Sequence, residues 1–378
     1  MNRLVLIGNG FDLAHGLKTS YKDFIYWYWE QRLNTMLTEG SAISEDCLCR
    51  LQIKNTRDCA SWSYYFSSHS LRDLMTREWK YPPIEIANAI KENKDNFFVT
   101  YSKFIDTILQ SIETKGWVDI ENEYYQLLKE SIEKSEQGYS VKKLNEELAY
   151  LQSKLIEYLG TIGMSQCKKD LHDAMIGLFD PTDFSIEGKW KALKNMGLES
   201  ANFDEMNNNC VERKKLRPER IMLLSFNYTG TVKNYGNFNL DFNYIHGELE
   251  RPENIIFGYG DELDRHYQDI LDKNDNELLK NVKSVKYLET RHYHDLLEFL
   301  ESAPFQVLIM GHSCGNSDRT LLNTVFEHEN CVSIKPFYHK WEGGGDNYLE
   351  LVQNISRNFT NPKLFRDRVV NKEQCSTI

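Results

Sequence analysis

Apolar residues follow two rhythms along this chain. Short continuous runs occur at the start, in Leu4 to Ile7 of "RLVLIG", and then only much later, in "IMLLSF" (221–226), "FNYIHG" (242–247), "NIIFGYG" (254–260), "FQVLIMG" (305–311) and "CVSIKPFYH" (331–339). Runs of this length, bounded by glycine or polar residues, predict strands buried on both faces, the habit of a parallel sheet covered by helices. Between the first run and the second the period changes. Val141, Leu144, Leu148, Leu151, Leu155 and Tyr158 recur at spacings of three and four, one apolar stripe of a helix, and 114–136 reads as another amphipathic helix. The stripe covers less than three heptads, so it predicts a helix packed in a bundle, with a dimer seam as the alternative. Pro82 and Pro83 interrupt the pattern, and 41–70 is mixed and cysteine-bearing.

Together these rhythms predict an α/β chain with a Rossmann-like, mainly parallel sheet. Residues 1–35 and 218–378 form that core, and 36–217 form a large, mostly helical insertion after the first strand-helix unit. The strand at Leu4 to Ile7 is expected in the same sheet as "IMLLSF" and "FQVLIMG". Gly343 to Gly345 reads as a flexible turn, and the charged tail after Phe365 as loose.

Composition narrows the function classes. A net charge of −11, with no basic stretch interleaved with aromatics, argues against a nucleic-acid partner. The leading apolar run is too short for a signal-peptide core and no run approaches a membrane span, so a cytoplasmic protein without a membrane partner is expected. The eight cysteines, Cys47, Cys49, Cys59, Cys167, Cys210, Cys314, Cys331 and Cys375, contain no C-x-x-C and read as reduced thiols. His292 with His294, and His312 with Cys314, have the spacing of ligand pairs on a strand; neither has a second pair beside it, so no metal is expected.

Chemistry concentrates where predicted strands end. Gly8 to Asp12, Ser225 to Thr231 ("SFNYTGT"), Ile245 to Gly247 and Gly311 to Asp318 ("GHSCGNSD") all follow apolar runs, and in an open α/β sheet ligands bind at the carboxyl ends of the strands. At the first of them a strand turns at once into a helix through Gly8-Asn9-Gly10, where N–H groups and the helix dipole favour an anion and glycine lets a phosphate come close. Leu13 stands where the dinucleotide fingerprint has its third glycine. The expected ligand contacts are Gly8, Asn9, Gly10, Phe11 and Asp12 from this turn, Ser225 from the second, and Gly311, Ser313 and Asp318 from the last. Plainer roles stay open. Asn227, Asp12, Ser317 and Asp318 are good helix caps, His246 could be a buried ring bonded to a backbone carbonyl, and the aromatic run from Tyr21 to Trp29 suits packing. "GHSCG" also satisfies G-x-S-x-G, which would make Ser313 the nucleophile of a serine hydrolase. Only 65 residues follow it, few for the strand-helix units that deliver an acid and a histidine, although His339 is among them.

"IGNGFDLAHGLKTSYKDF", "LSFNYTGT", "YIHG", "IIFGYG" and "IMGHSCGNSDRTLL" resemble the motifs of the AbiH family of bacteriophage abortive-infection proteins, and "GWVDIE" is similar too. More distantly, the order of glycine turn, Asn-Tyr, His-Gly and Gly-x-Ser resembles the sirtuin-like domains that bind NAD in defence proteins. The first resemblance implies phage defence, with a phage-derived trigger. The second implies a sirtuin-related core with NAD, or a related nucleotide, as substrate or ligand. In it Asn227 would hold the nicotinamide ribose and a water, and His246 would act as base on a ribose hydroxyl. Nicotinamide leaves a cationic sugar as a neutral base, so such a site needs to fix the ribose and stabilise an oxocarbenium-like state rather than supply a strong acid. Thr229 replaces the acid usual in sirtuins, Asp12 stands where a small hydroxyl residue is common, and the paired zinc cysteines are missing, so deacylation is not expected. The expectation is a protein, possible as a homo-oligomer, that hydrolyses NAD to nicotinamide and ADP-ribose; a nucleotide or ADP-ribose sensor without turnover is the alternative.

Overall fold

A computed structural model of the chain describes residues 1–39, 43–53, 97–115, 119–133, 139–163, 165–198, 215–238 and 240–378. Cys59, Pro82, Pro83 and Cys210 lie outside them. Its strands are β1 (Asn2–Ile7), β2 (Ile43–Glu45), β3 (Cys49–Ile53), β4 (Phe97–Tyr101), β5 (Ile221–Ser225), β6 (Asp241–Tyr244), β7 (Phe305–Met310) and β8 (Cys331–Phe337).

β1, β5, β6, β7 and β8 form one parallel sheet in the order β6-β5-β1-β7-β8. Val5 pairs with Leu223 on one side and Leu308 on the other, so the N-terminal strand is central to the sheet as its apolar run predicts. The chain steps outward from β1 through β5 to β6, returns, and steps outward the other way through β7 to β8. The reversal lies between β1 and β7, the switch point at which doubly wound sheets open a crevice. Alternate side chains serve the two faces. Leu4 and Leu6 pack with Phe299 and Leu300 of the helix His292–Ser302 and Val325 of the helix Arg319–Phe326. Val5 and Ile7 pack with Leu171 and Met175 of the helix Lys169–Ile176, and with Val232 and Tyr235.

That second face moves the domain boundary. The chain divides into one compact unit of 1–18, 162–272 and 281–378, and another of 19–161 with 273–280, rather than at 36 and 217. Residues after 162 stay with the sheet because they cover it and because buried charges tie them to its amino edge. Arg3, almost wholly buried, donates to the carbonyls of Met175 (2.8 Å) and Gly177 (2.7 Å) and to Gln306 Oε1 (3.1 Å). Gln306 and Lys335 in turn bind the Asp183 carboxylate at 3.0 and 2.9 Å.

The second unit is less purely helical than its period implies. Among the described residues the helices Tyr21–Glu39, Lys103–Lys115, Ile120–Glu133 and Val141–Gly160, with the short Asn276–Leu279, accompany an antiparallel sheet in the order β2-β3-β4. Its hairpin is organised by Asp46, whose Oδ1 accepts from the amides of Leu48 and Cys49 and whose Oδ2 accepts from Tyr28, Arg32 and Tyr150. The 141–158 stripe is buried from Leu144 to Tyr158, with Val141 half-buried, and the aromatic run is packing: Phe24 and Trp27 lie against Tyr158, and Trp29 against Tyr101. Among the described residues no helix is long and apolar enough to cross a membrane.

Two further expectations are corrected. In "NIIFGYG" Asn254 ends a short 3-10 turn and 255–260 are buried without forming a strand; a bridge joins Tyr259 to Val282, and Ile256 bonds back to His246 O. Its apolarity comes from threading beneath neighbouring turns, so closely that a Cβ at Gly258 would lie 2.0 Å from Asn281 O. The tail is not loose: Val370 bonds to Ile334 and Ile378 to Tyr338, so it covers the outer edge of β8.

The turns that leave β1 and β7 meet backbone to backbone. A Cβ at Gly8 would lie 2.4 Å from His312 Cα, and one at Gly311, whose φ is +77°, 2.0 Å from Phe11 N. Gly311→Ala therefore combines left-handed strain with a backbone clash, and we expect it to destabilise the protein by about 2 to 4 kcal/mol. Gly163→Ala, with nothing near its Cβ, should stay within about 0.5 kcal/mol of wild type. Urea unfolding of the two variants checks this, and equal midpoints would refute it.

Candidate functional site

Each residue of the candidate site is placed by a turn at the carboxyl edge of the large sheet. Beyond β5, Ser225 Oγ accepts the amide of Asn227 at 3.3 Å, and Asn227 Nδ2 donates to Gly8 O at 3.0 Å. The Asn227 side chain thus straps the β5 turn to the β1 turn and is no helix cap. Asp12 lies beside it inside the short helix Asn9–Ala14, fully buried, with Oδ2 accepting from Thr229, whose hydroxyl is 3.3 Å from that of Thr231. Burial pushes the Asp12 carboxyl above its usual range, against the opposing influence of Thr229, Thr231 and Asn227. Its second oxygen, Oδ1, is buried without completing a hydrogen bond among the described residues.

A second group forms around Asp318. This residue opens the helix Arg319–Phe326 but does not cap it with its side chain. Its Oδ1 instead accepts from Lys283 Nζ at 2.8 Å and lies 3.2 Å from His246 Nε2, while Oδ2 lies 3.4 Å from His312 Nε2. All four side chains are buried, Lys283 completely. Each has its own local cause. His246 follows β6 and is held by the bond from Ile256 N to its carbonyl and by Gly247, whose φ of +82° turns the chain. Lys283 is set by the reciprocal backbone pairing of Tyr259 with 281–283. His312 follows the tight Gly311 turn, and its Nδ1 accepts the amide of Cys314 at 3.0 Å.

The electrostatics follow from this geometry. Burial alone pushes Asp318 up, but the charge of Lys283 and the hydrogen bonds of both imidazoles overcome it and hold the carboxyl well below the usual carboxylate range. Burial, reinforced by Lys283, pushes His246 down to about 4, with Asp318 pulling the other way. Tyr287 hydroxyl lies 3.2 Å from His246 Nε2, its ring stacked 6.2 Å from the imidazole. Phe226 joins the two groups: it follows Ser225, precedes Asn227, and packs its ring on both His246 (5.2 Å) and His312 (4.1 Å).

The expected residues therefore fall into two neighbouring sets, Gly8, Asp12, Ser225 and Asn227 in one, His246 and Asp318 in the other. The amides of Gly8, Gly10 and Phe11 are directed at Met310 O, Gly311 O and Gly8 O, so close packing of the two turns accounts for the glycines without a phosphate. Asn9 is exposed at the head of its helix. Ser313 is exposed, its carbonyl bound by Asn354, and the left-handed conformation falls on Cys314 (φ 54°), not on the serine as a nucleophile elbow requires. Lys283 and Tyr287 lie in "NVKSVKYLET", a mixed stretch with no motif to single them out in the sequence. The signal that could have found Lys283 is its place beside Val282, opposite the buried "FGYG".

The depressed His246 has a testable sign. Folded, it stays neutral down to about 4, whereas the unfolded chain takes up a proton below about 6.5. Its contribution to stability is complete above 6.5 and is lost as pH falls from there through 4. Asp318 acts in the same direction at lower pH, its contribution present above 3.8 and lost as pH falls through its depressed folded value. The melting temperature of wild type should fall between pH 6.5 and 4 more steeply than that of His246→Gln, and parallel curves would show that His246 is not depressed.

No curated protein and no solved structure was found to match the chain. A family model described as bacteriophage abortive infection AbiH matches residues 4–339. That span runs from Leu4, within β1, past Asp12, Asn227, His246, Lys283, His312 and Asp318. The chain belongs to the AbiH family of bacteriophage abortive infection proteins.

Proposed function

We propose that this AbiH protein acts in phage defence by hydrolysing NAD to nicotinamide and ADP-ribose at the carboxyl edge of its parallel sheet. The observation that carries the reading is the placement of Asn227, bonded to Gly8 O, and of His246, packed on the neighbouring Phe226, in two adjacent groups at the carboxyl edge beside the β1/β7 switch point, where doubly wound sheets bind dinucleotides. The chemistry asked of the protein is modest. Leaving nicotinamide needs no acid, so the chain must orient the ribose, accept a hydroxyl proton and place the water whose oxygen bonds to the ribose C1′ as the bond to nicotinamide breaks, that water's proton passing to solvent. His246 is neutral across the physiological range and so has a lone pair to offer a ribose hydroxyl. Asn227 has its Nδ2 engaged by Gly8, which leaves its carbonyl oxygen for the ligand. The buried, unpaired Oδ1 of Asp12 lies in the same group and suits a second hydroxyl donor.

One observation favours a second reading. His246 is only 3% exposed, and a site closed over its base is what a sensor that binds a nucleotide or ADP-ribose without turnover would also show.

Nicotinamide release by purified protein, with and without extract from infected cells as a source of the trigger, separates the two. Asn227→Ala and His246→Ala should each lower release by a factor of tens to hundreds, corresponding to about 2 to 4 kcal/mol of transition-state stabilisation. The double variant should be little worse than the poorer single one. Undiminished release by folded His246→Ala would remove the catalytic assignment, and binding of ADP-ribose with no release from wild type would establish the sensor.

A further inference from the structure

A fully buried lysine is the least expected part of the site, since ion pairs taken out of water recover their desolvation cost poorly and apolar replacements of like volume are often as stable. Three separate segments nevertheless meet at one carboxylate: the turns that carry His246 and Lys283, and the 311–318 turn that supplies both His312 and Asp318 itself. What the lysine does can be read from the hydrogen-bond roles around it.

An ionised carboxylate only accepts, so each nitrogen that faces it must carry a hydrogen. For His312 the assignment is made twice. Its Nε2 faces Asp318 Oδ2, and its Nδ1 accepts the amide of Cys314, which requires that the proton be on Nε2. Both ring nitrogens are thereby engaged, which makes His312 a strut between the β7 turn and Asp318. His246 also faces Asp318 through Nε2 and so shares the tautomer, with its lone pair on Nδ1. The lysine shares Oδ1 with His246. Its positive charge holds Asp318 as an anion and opposes full protonation of the imidazole that the anion would otherwise promote. Tyr287, stacked on His246 and within 3.2 Å of Nε2, restricts ring rotation.

We propose that Lys283 is a positioning residue of this site: by fixing Asp318 as an anion between two imidazoles, it holds His246 as the neutral tautomer protonated on Nε2, with Nδ1 as its proton acceptor. The proposal rests on the reading of the carboxyl edge as the reactive site, with a ribose hydroxyl as the group whose proton Nδ1 accepts. A lysine that merely stabilised the fold would leave the tautomer of His246 untouched.

The test is long-range proton-nitrogen NMR of the full chain labelled with ¹⁵N-histidine, with the His246 signals identified by their loss in His246→Gln. In wild type, His246 should show the Nε2-protonated pattern throughout pH 5.5 to 8. In Lys283→Met it should titrate within that window and become an imidazolium at its acid end. Nicotinamide release by the same variant should fall at least tenfold at pH 6, with the acid limb of its pH profile moved up by a unit or more and KM for NAD changed less than kcat. If Lys283→Met does not fold, Lys283→Met/Asp318→Asn removes both charges and should fold while giving His246 as a mixture of tautomers. An unchanged His246 pattern in whichever of these folds would overturn the proposal. The NMR result stands whether or not NAD is the substrate, so a wild type with the expected tautomer and no nicotinamide release would refute the NAD reading and leave the positioning role in place.

Discussion

The site depends on how closely the chain leaving β1 approaches the chain leaving β7. Gly8 and Gly10 meet Gly311 and His312 with no room for a side chain between them, and the amide of Gly10 bonds directly to Gly311 O. This contact sits at the switch point of the sheet, where two neighbouring strands send their chains to opposite sides. It fixes His312 above β1 and, through it, one side of Asp318. It also brings Gly8 O within reach of Asn227. Backbone packing therefore sets the distance between the two polar groups before any ligand contributes, which is the rigidity a preorganised site requires.

Both edges of the sheet bury charge, with different consequences. At the amino edge Arg3, Gln306, Asp183 and Lys335 form a chain of bonds that ties 175–185 to the strands. Those partners are backbone carbonyls and complementary side chains, so the network reads as architecture. At the carboxyl edge the partners of Asp318 include two imidazoles, one of which, His246, is held neutral by burial and by the charge of Lys283. This contrast is the physical reason for placing the chemistry at the carboxyl edge.

Much of this was legible in the sequence. Leu4 to Ile7, "IMLLSF" and "FQVLIMG" announced a sheet discontinuous in sequence, because strands buried on both faces cannot alternate with polar residues. Asn227, His246 and Asp318 were visible because each follows such a run. What stayed hidden depends on partners far away in the chain. "NIIFGYG" has the composition of a strand, yet its backbone bonds to turns; β2, β3 and β4 are short strands amid a polar, helix-patterned stretch; and Lys283 is buried only because Tyr259 and Asp318 receive it. The glycine turn suggests a phosphate contact in the sequence, and the structure adds a second constraint at the same place. Two glycines there are required by a neighbouring backbone, which a single sequence does not display.

The central claim is that NAD is consumed at the carboxyl edge when defence is triggered. Following NAD, nicotinamide and ADP-ribose in cells through a synchronised infection tests it most directly, with cells that carry the folded His246→Ala protein beside wild type. The account predicts that NAD falls in wild-type cells before lysis, that nicotinamide and ADP-ribose appear in equal amounts, and that neither change occurs in the variant. Full protection by the wild-type protein with NAD constant throughout infection would contradict it.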